Sequence, residues 1–168
     1  MSILPDEIGD VDLEQLDVSD NKLSSLPYFS GDYGYMDHKL KIDLSNNPLT
    51  KYPESLSNRF IYDLNINYTD IDYLPPIKFF RMRGGRPIGG HPYGLELLQL
   101  RGTPISEFPD LSNNISYMDL LDIRDTKIKE IPDYIKEYSI DRVFISDLSL
   151  ADSFGPNCSI NPFWGQPL

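Results

Sequence analysis

Apolar residues return along this chain at fixed distances. Leu13, Leu16, Val18, Leu23 and Leu26 set a frame that also holds Asn21 and closes on Pro27, L-x-x-L-x-L-x-x-N-x-L-x-x-L-P. It returns at Lys39, Ile42, Leu44, Asn47, Leu49, Tyr52 and Pro53, then at Ile61, Leu64, Ile66, Thr69, Ile71, Leu74 and Pro75. Two further copies read Leu95, Leu98, Leu100, Thr103, Ile105, Phe108, Pro109 and Met118, Leu121, Ile123, Thr126, Ile128, Ile131, Pro132. Leu4 and Pro5 close a truncated first unit, and Ile140, Val143, Ile145 and Leu148 open a degenerate last one. The L-x-L step alternates with period two, which predicts a short strand with its apolar side chains turned inward. One such unit cannot bury its apolar residues alone. Stacked units form a parallel sheet over one continuous core, so the frame predicts about five or six strands.

Between the strands the frame predicts little helix. The proline after each closing apolar residue favours extended or turn backbone, and single helical turns are expected near residues 54–57 and 133–137. The column Asn21, Asn47, Thr69, Thr103 and Thr126 falls where each strand turns away. A short polar side chain there can satisfy backbone groups that the turn would otherwise bury unpaired, which makes the column a structural ladder.

Seven positions recurring in register resemble the leucine-rich-repeat family over roughly residues 4 to 148. The resemblance implies an α/β-type leucine-rich-repeat solenoid, with a parallel β-sheet on the concave face and a mostly irregular convex side with little helix. The spacing near 22 residues is similar to the short repeats of phosphatase-regulating proteins, and the Leu-Pro ending to bacterial effector and plant intracellular repeats. The solenoid is read as residues 1–150, with repeats starting near 13, 39, 61, 95, 118 and 140. Residues 151–168 are read as a Pro- and aromatic-rich cap or docking arm carrying Phe163 and Trp164.

The proline-to-proline spacing breaks twice, and insertions in a solenoid become loops. The larger break places a Gly-rich insertion at 76–94 with Lys78, Arg81, Arg83 and Arg86 and no acidic residue. Its expected role is an electrostatic grip on an acidic protein partner; the alternatives are that it lies on this protein's own acidic surface and, as a minor one, RNA contact through the Arg/Gly stretch.

Outward positions between the inward leucines form columns on the sheet. One column reads Gln15, Lys41, Asp63, Leu97, Leu120, Arg142; the next Asp17, Asp43, Asn65, Gln99, Asp122, Phe144; the third Ser19, Ser45, Asn67, Arg101, Arg124, Ser146. The first three repeats therefore present a polar, mostly acidic face. The last three expose Leu97, Leu120 and Phe144 beside Arg101, Arg124 and Arg142, a composition that fits a binding hot spot. Leu97, Leu120 and Phe144 are expected to line up on adjacent strands, and Asp17, Asp43 and Asp63 to add steering or nothing.

Net charge sharpens the choice of partner. At -11 the chain is unsuited to nucleic acid or an anionic membrane, since phosphate binding needs a basic surface. The one cysteine, Cys158, allows no internal disulfide, which points to a reducing compartment. Residues 1–10 are acidic without an apolar run, so no secretory signal is expected, and no stretch reaches the length of a membrane span. His38 and His91 stand far apart, without metal-ligand spacing, and neither a phosphate-binding glycine motif nor a nucleophile-base pair is present. No catalytic residue, metal or cofactor is expected. The sequence reads as a non-catalytic protein-protein interaction module inside the cell or inside an assembly such as a virion. Its expected role is a scaffold or structural subunit of a virion shell or organellar complex; the alternative is a regulatory subunit that reversibly engages an enzyme such as a phosphatase.

Overall fold

The computed structural model describes residues 1–11, 13–30, 40–58, 61–76, 95–112 and 117–162. Seven strands form one sheet: β1 (Gln15–Asp17), β2 (Leu40–Asp43), β3 (Ile61–Asn65), β4 (Leu97–Gln99), β5 (Tyr117–Asp122), β6 (Ser139–Ile145) and β7 (Cys158–Pro162). Their order in the sheet follows the chain, and each pair of neighbours is parallel. This is the architecture the repeat demands, because every copy enters the sheet in the same direction and packs only on its immediate neighbours. The first six strands open the six copies of the frame. The seventh is one more than the repeat count predicts. It forms because Cys158 and Ile160 still alternate with exposed Ser159 and Asn161, pack against the core, and pair with Ile140 and Val143.

One row of inward side chains runs through the sheet as Cα partners: Leu16, Ile42, Leu64, Leu98, Leu121 and Val143, all buried. Val18, Leu44, Ile66, Leu100, Ile123 and Ile145 form a second buried row, and Leu23, Leu49, Ile71, Ile105 and Ile128 a third. Burying each such side chain contributes about 1.5 to 3 kcal/mol relative to leaving it in water. The frame puts Lys39 at the first inward position of the second copy. Lys39 lies outside the described residues. Leu40 is the buried residue there, and the register shifts between it and Lys41.

The return segments carry short 3-10 helices at Asp6–Asp10, Glu54–Asn58, Asp133–Glu137 and Leu148–Ser153. No α-helix occurs among the described residues. Three of these turns start directly after the repeat proline. The carbonyls of Pro5, Pro53 and Pro132 accept from the N–H groups of Ile8, Leu56 and Ile135. Proline supplies a fixed φ and has no N–H to leave unpaired at that point.

Each complete copy turns out of the sheet through the same corner. Asp20, Asn46, Tyr68, Gly102 and Asp125 have positive φ, between 55° and 69°, and each stands one residue before the Asn/Thr ladder. Asn, Asp and Gly adopt this backbone most readily; a tyrosine there costs about 1 kcal/mol or more. The N–H groups of Asp20, Asn46, Tyr68 and Gly102 reach the carbonyls of Ser45, Asn67, Arg101 and Arg124 in the next copy, at 2.8 to 3.0 Å. At Gly102 a side chain would be strained by φ +69°, and its Cβ would stand 2.6 Å from the Tyr68 ring.

The ladder residues do what their column predicts. Asn47 donates to the carbonyls of Val18, Leu44 and Ser45 and accepts from the Leu23 N–H. Asn21 donates to Val18 and Ser19 and accepts from the amino terminus of Met1. Thr69, Thr103 and Thr126 each donate to the carbonyl three residues back, at 2.7 to 2.9 Å. In the sixth copy the ladder position holds Leu148, which has no polar group to offer and is 47% exposed. There the chain enters a 3-10 helix, capped by Asp147, in place of the left-handed corner.

Candidate functional site

The solvent face of the sheet carries two rows set by strand pairing. Gln15, Lys41, Asp63, Leu97, Leu120 and Arg142 are successive Cα partners, as are Asp17, Asp43, Asn65, Gln99, Asp122 and Phe144. Leu97 and Leu120 therefore face each other across β4 and β5. Phe144 does not join them. It stands opposite Asp122, and the partner of Leu120 is Arg142. Two residues along β6 separate Arg142 from Phe144, a displacement of about 7 Å, so the expected straight row of three apolar residues is corrected to a pair and an offset ring. All three are half-buried.

Three arginines flank this region, and two are engaged within the chain. Arg124 grips Asp122 with Nε at 2.8 Å and Nη2 at 2.5 Å, while its guanidinium lies 4.8 Å from the centre of the Phe144 ring. Asp122 is 3% exposed, and its hydrogen bond holds the Arg124 pKa above the ordinary value, with burial opposing. Arg101 pairs with Asp125 at 3.1 Å and stacks over Tyr68 at 5.5 Å. Burial pushes the Asp125 carboxyl up. Hydrogen bonds from Arg101 and Ser146, with the charges of Arg101 and Arg124, outweigh it and hold the carboxyl below its usual value. Arg142 is exposed at the end of the leucine row.

The acidic half has its own internal order, which the sequence reading did not extract. Asp17 and Asp43 each accept from a serine two residues on, through both its N–H and its hydroxyl. Asn65 accepts from the Asn67 N–H, and Asp122 from that of Arg124. These side chains stop the strand end from straying. The serine hydroxyl holds the Asp17 carboxyl below its ordinary value. The legible signal was the recurring Asp-x-Ser at 17, 43 and 147. Asp63 belongs to the other row. It pairs with Lys41 at 3.1 Å, Lys41 lies over the Tyr62 ring, and the second carboxylate oxygen of Asp63 is buried. Asp63 also lines a shallow depression whose walls include Lys41, Asp43, Asn65, Leu97 and Gln99.

Cys158 is half-buried, its Sγ donates to the Tyr138 carbonyl, and burial pushes its thiol pKa up, the opposite of an activated nucleophile. Lys78, Arg81, Arg83, Arg86, Phe163 and Trp164 lie outside the described residues. Among the described residues no group of three or more His, Cys, Asp or Glu side chains is placed to hold a metal ion, and no helix is long and apolar enough to cross a membrane.

The Leucine Rich Repeat family model matches residues 40–59, which span β2, its corner and the 3-10 helix that follows. No curated protein and no solved structure matches the chain. The matched copy is one of a series sharing its strand, its left-handed corner and its polar ladder, so the chain carries a leucine-rich repeat at residues 40–59 and further copies similar to it.

Proposed function

We propose that this protein is a non-catalytic binding module that holds a protein partner on the solvent face of β4 to β6, as a scaffold or structural subunit of a larger assembly. Leucine-rich-repeat domains in general bind proteins on the surface their stacked strands create. The observation that carries the reading here is the pairing of Leu97 with Leu120 on the outward side of adjacent strands, bounded by the Arg124-braced ring of Phe144 and by Arg142. Apolar anchors with aromatic and arginine neighbours are what an interface core uses. A face whose ring and arginine are already fixed by in-chain contacts loses little side-chain freedom on binding, which suits a lasting contact.

Purification of the full chain from its native source should bring down one protein at fixed stoichiometry and hold it through a salt wash. Leu120→Ser should release that protein, and Asp17→Ala, whose carboxylate serves its own turn, should not. Retention by Leu120→Ser would overturn the footprint. Loss of the partner at modest salt would favour a reversible regulatory subunit over a scaffold.

A further inference from the structure

We propose that the partner presents a cationic side chain, arginine or lysine, next to an aliphatic one, and that Asp63 receives the cation while Leu97 and Leu120 receive the aliphatic group. The inference rests on the reading of this sheet face as the binding surface, and adds the chemistry of what binds there.

Asp17, Asp43 and Asp63 look alike as an acidic run in the first three repeats, but they are not equivalent. Asp17 and Asp43 each give an oxygen to the serine two residues on, and Asp43 gives its other oxygen to the Asn65 amide at 2.9 Å. Asp63 lies one row away, with Lys41 on one side and Leu97 on the other. Lys41 takes one oxygen. The other, Oδ1, is buried and accepts from no group among the described residues. Leu97 has no donor for it. A carboxylate oxygen shielded on its apolar side is a strong acceptor awaiting an N–H.

Charge decides which donor fits. Asp43 and Asp63 face this depression with Lys41 as the one cation on its walls among the described residues, so these walls are net acidic and a partner's carboxylate would be repelled. Lys41 leaves room for a second cation, because its side chain is half exposed and its ammonium lies over the Tyr62 ring. The row then continues with Leu97 and Leu120 and ends on exposed Arg142. Asp63 to Arg142 spans three strand spacings, about 14 Å, which an extended segment of four or five residues covers. The complement is a short stretch reading cation, aliphatic, then an acidic side chain or free carbonyl over Arg142.

The test is selection of a random twelve-residue peptide library, displayed on phage, against the immobilised full chain, followed by fluorescence anisotropy of the recovered peptides in solution. Recovered sequences should carry Arg or Lys within a few residues of Leu, Ile, Val or Met. Asp63→Asn, shown by its melting curve to be folded, should weaken them about tenfold or more, and Lys41→Gln, which removes the competing ammonium, should strengthen them. Peptides that are uncharged or acidic, or that bind Asp63→Asn as well as the unmodified chain, would overturn the proposal, as would a selection that enriches nothing. Binding lost in Leu120→Ser but kept in Asp63→Asn refutes the cation and leaves the footprint standing; binding kept in both refutes the footprint too.

Discussion

Asp43 and Asp122 occupy the same place in the repeat and make the same backbone contact, yet they create opposite surfaces. Asp43 accepts from Ser45 and Asn65, neutral donors that leave its charge on the face. Asp122 accepts from Arg124, which neutralises it, buries it and carries the guanidinium onto Phe144. The difference lies two residues downstream, serine in one copy and arginine in the other, on strands of the same sheet. The lesson is that the repeat fixes a backbone device and leaves its solvent side free to vary. In this chain the β1 to β3 half remains polar and acidic, and the β4 to β6 half is neutralised and apolar. The two halves share one core and differ on one face.

The largest effect should come from the shared part. Leu64→Ala and Leu121→Ala, one in each half and both fully buried, should each cost roughly 2 to 5 kcal/mol in denaturant melts. Leu120→Ala, one residue away on the solvent side, should cost under about 1 kcal/mol. Equal losses at 120 and 121 would break the assignment of faces on which the comparison stands. Next in size is the neutralised carboxylate. Arg124→Met should cost roughly 2 to 4 kcal/mol because Asp122 is left buried without its cation, whereas Ser45→Ala, at the matching position beside half-buried Asp43, should cost about 1 kcal/mol or less. Similar losses would show that the halves are held alike.

The corner between the halves comes third. Gly102→Ala should cost roughly 1 to 2 kcal/mol through its left-handed backbone and its approach to Tyr68. Tyr68→Asn should recover part of that loss in the double variant, with both read as shifts in melting midpoint. Acid gives the smallest and most even effect. Asp17, Asp125 and Asp147 are held below their ordinary values. A carboxyl whose folded value is lowered binds fewer protons than in the unfolded chain, so its contribution is complete above about pH 5 and is lost as pH falls through the lowered value. Denaturant midpoints should hold steady from neutrality to mild acid and then decline. Ser19→Ala in the first half and Ser149→Ala beyond the second should flatten that decline to a similar extent, since a serine hydroxyl is the largest cause lowering each carboxyl, Asp17 and Asp147.

Much of the scaffold was legible before any coordinates, because each strand carries its own period-two signal and the frame repeats it. The inward rows, the Asn/Thr ladder and the turns after Pro53 and Pro132 all followed from spacing. The site was legible only in outline. The columns were read in the right order, and Leu97 and Leu120 fall together, but Phe144 was grouped with them across two columns. The pairing Asp122↔Phe144 set it one row over. Arg124 read as a free flank of a hot spot and proved to be held by Asp122, a choice that depends on burial as well as on sequence separation.

What the sequence determined by itself is therefore local: which residues face the core, where each strand ends, and which side chains close the corner. These depend on contacts within one repeat or between identical positions of consecutive repeats. Tertiary structure decided the rest. It gave the chain a seventh strand, engaged Arg101 and Arg124 within the chain, and separated Asp63 from Asp17 and Asp43 by leaving one buried oxygen without a donor among the described residues. The physical reason is that burial makes Asp122, two residues back, the partner of Arg124, while Arg101 and Asp63 take theirs from a neighbouring strand or corner more than 20 residues away, where strand register, side-chain reach and the loss of water together set the outcome.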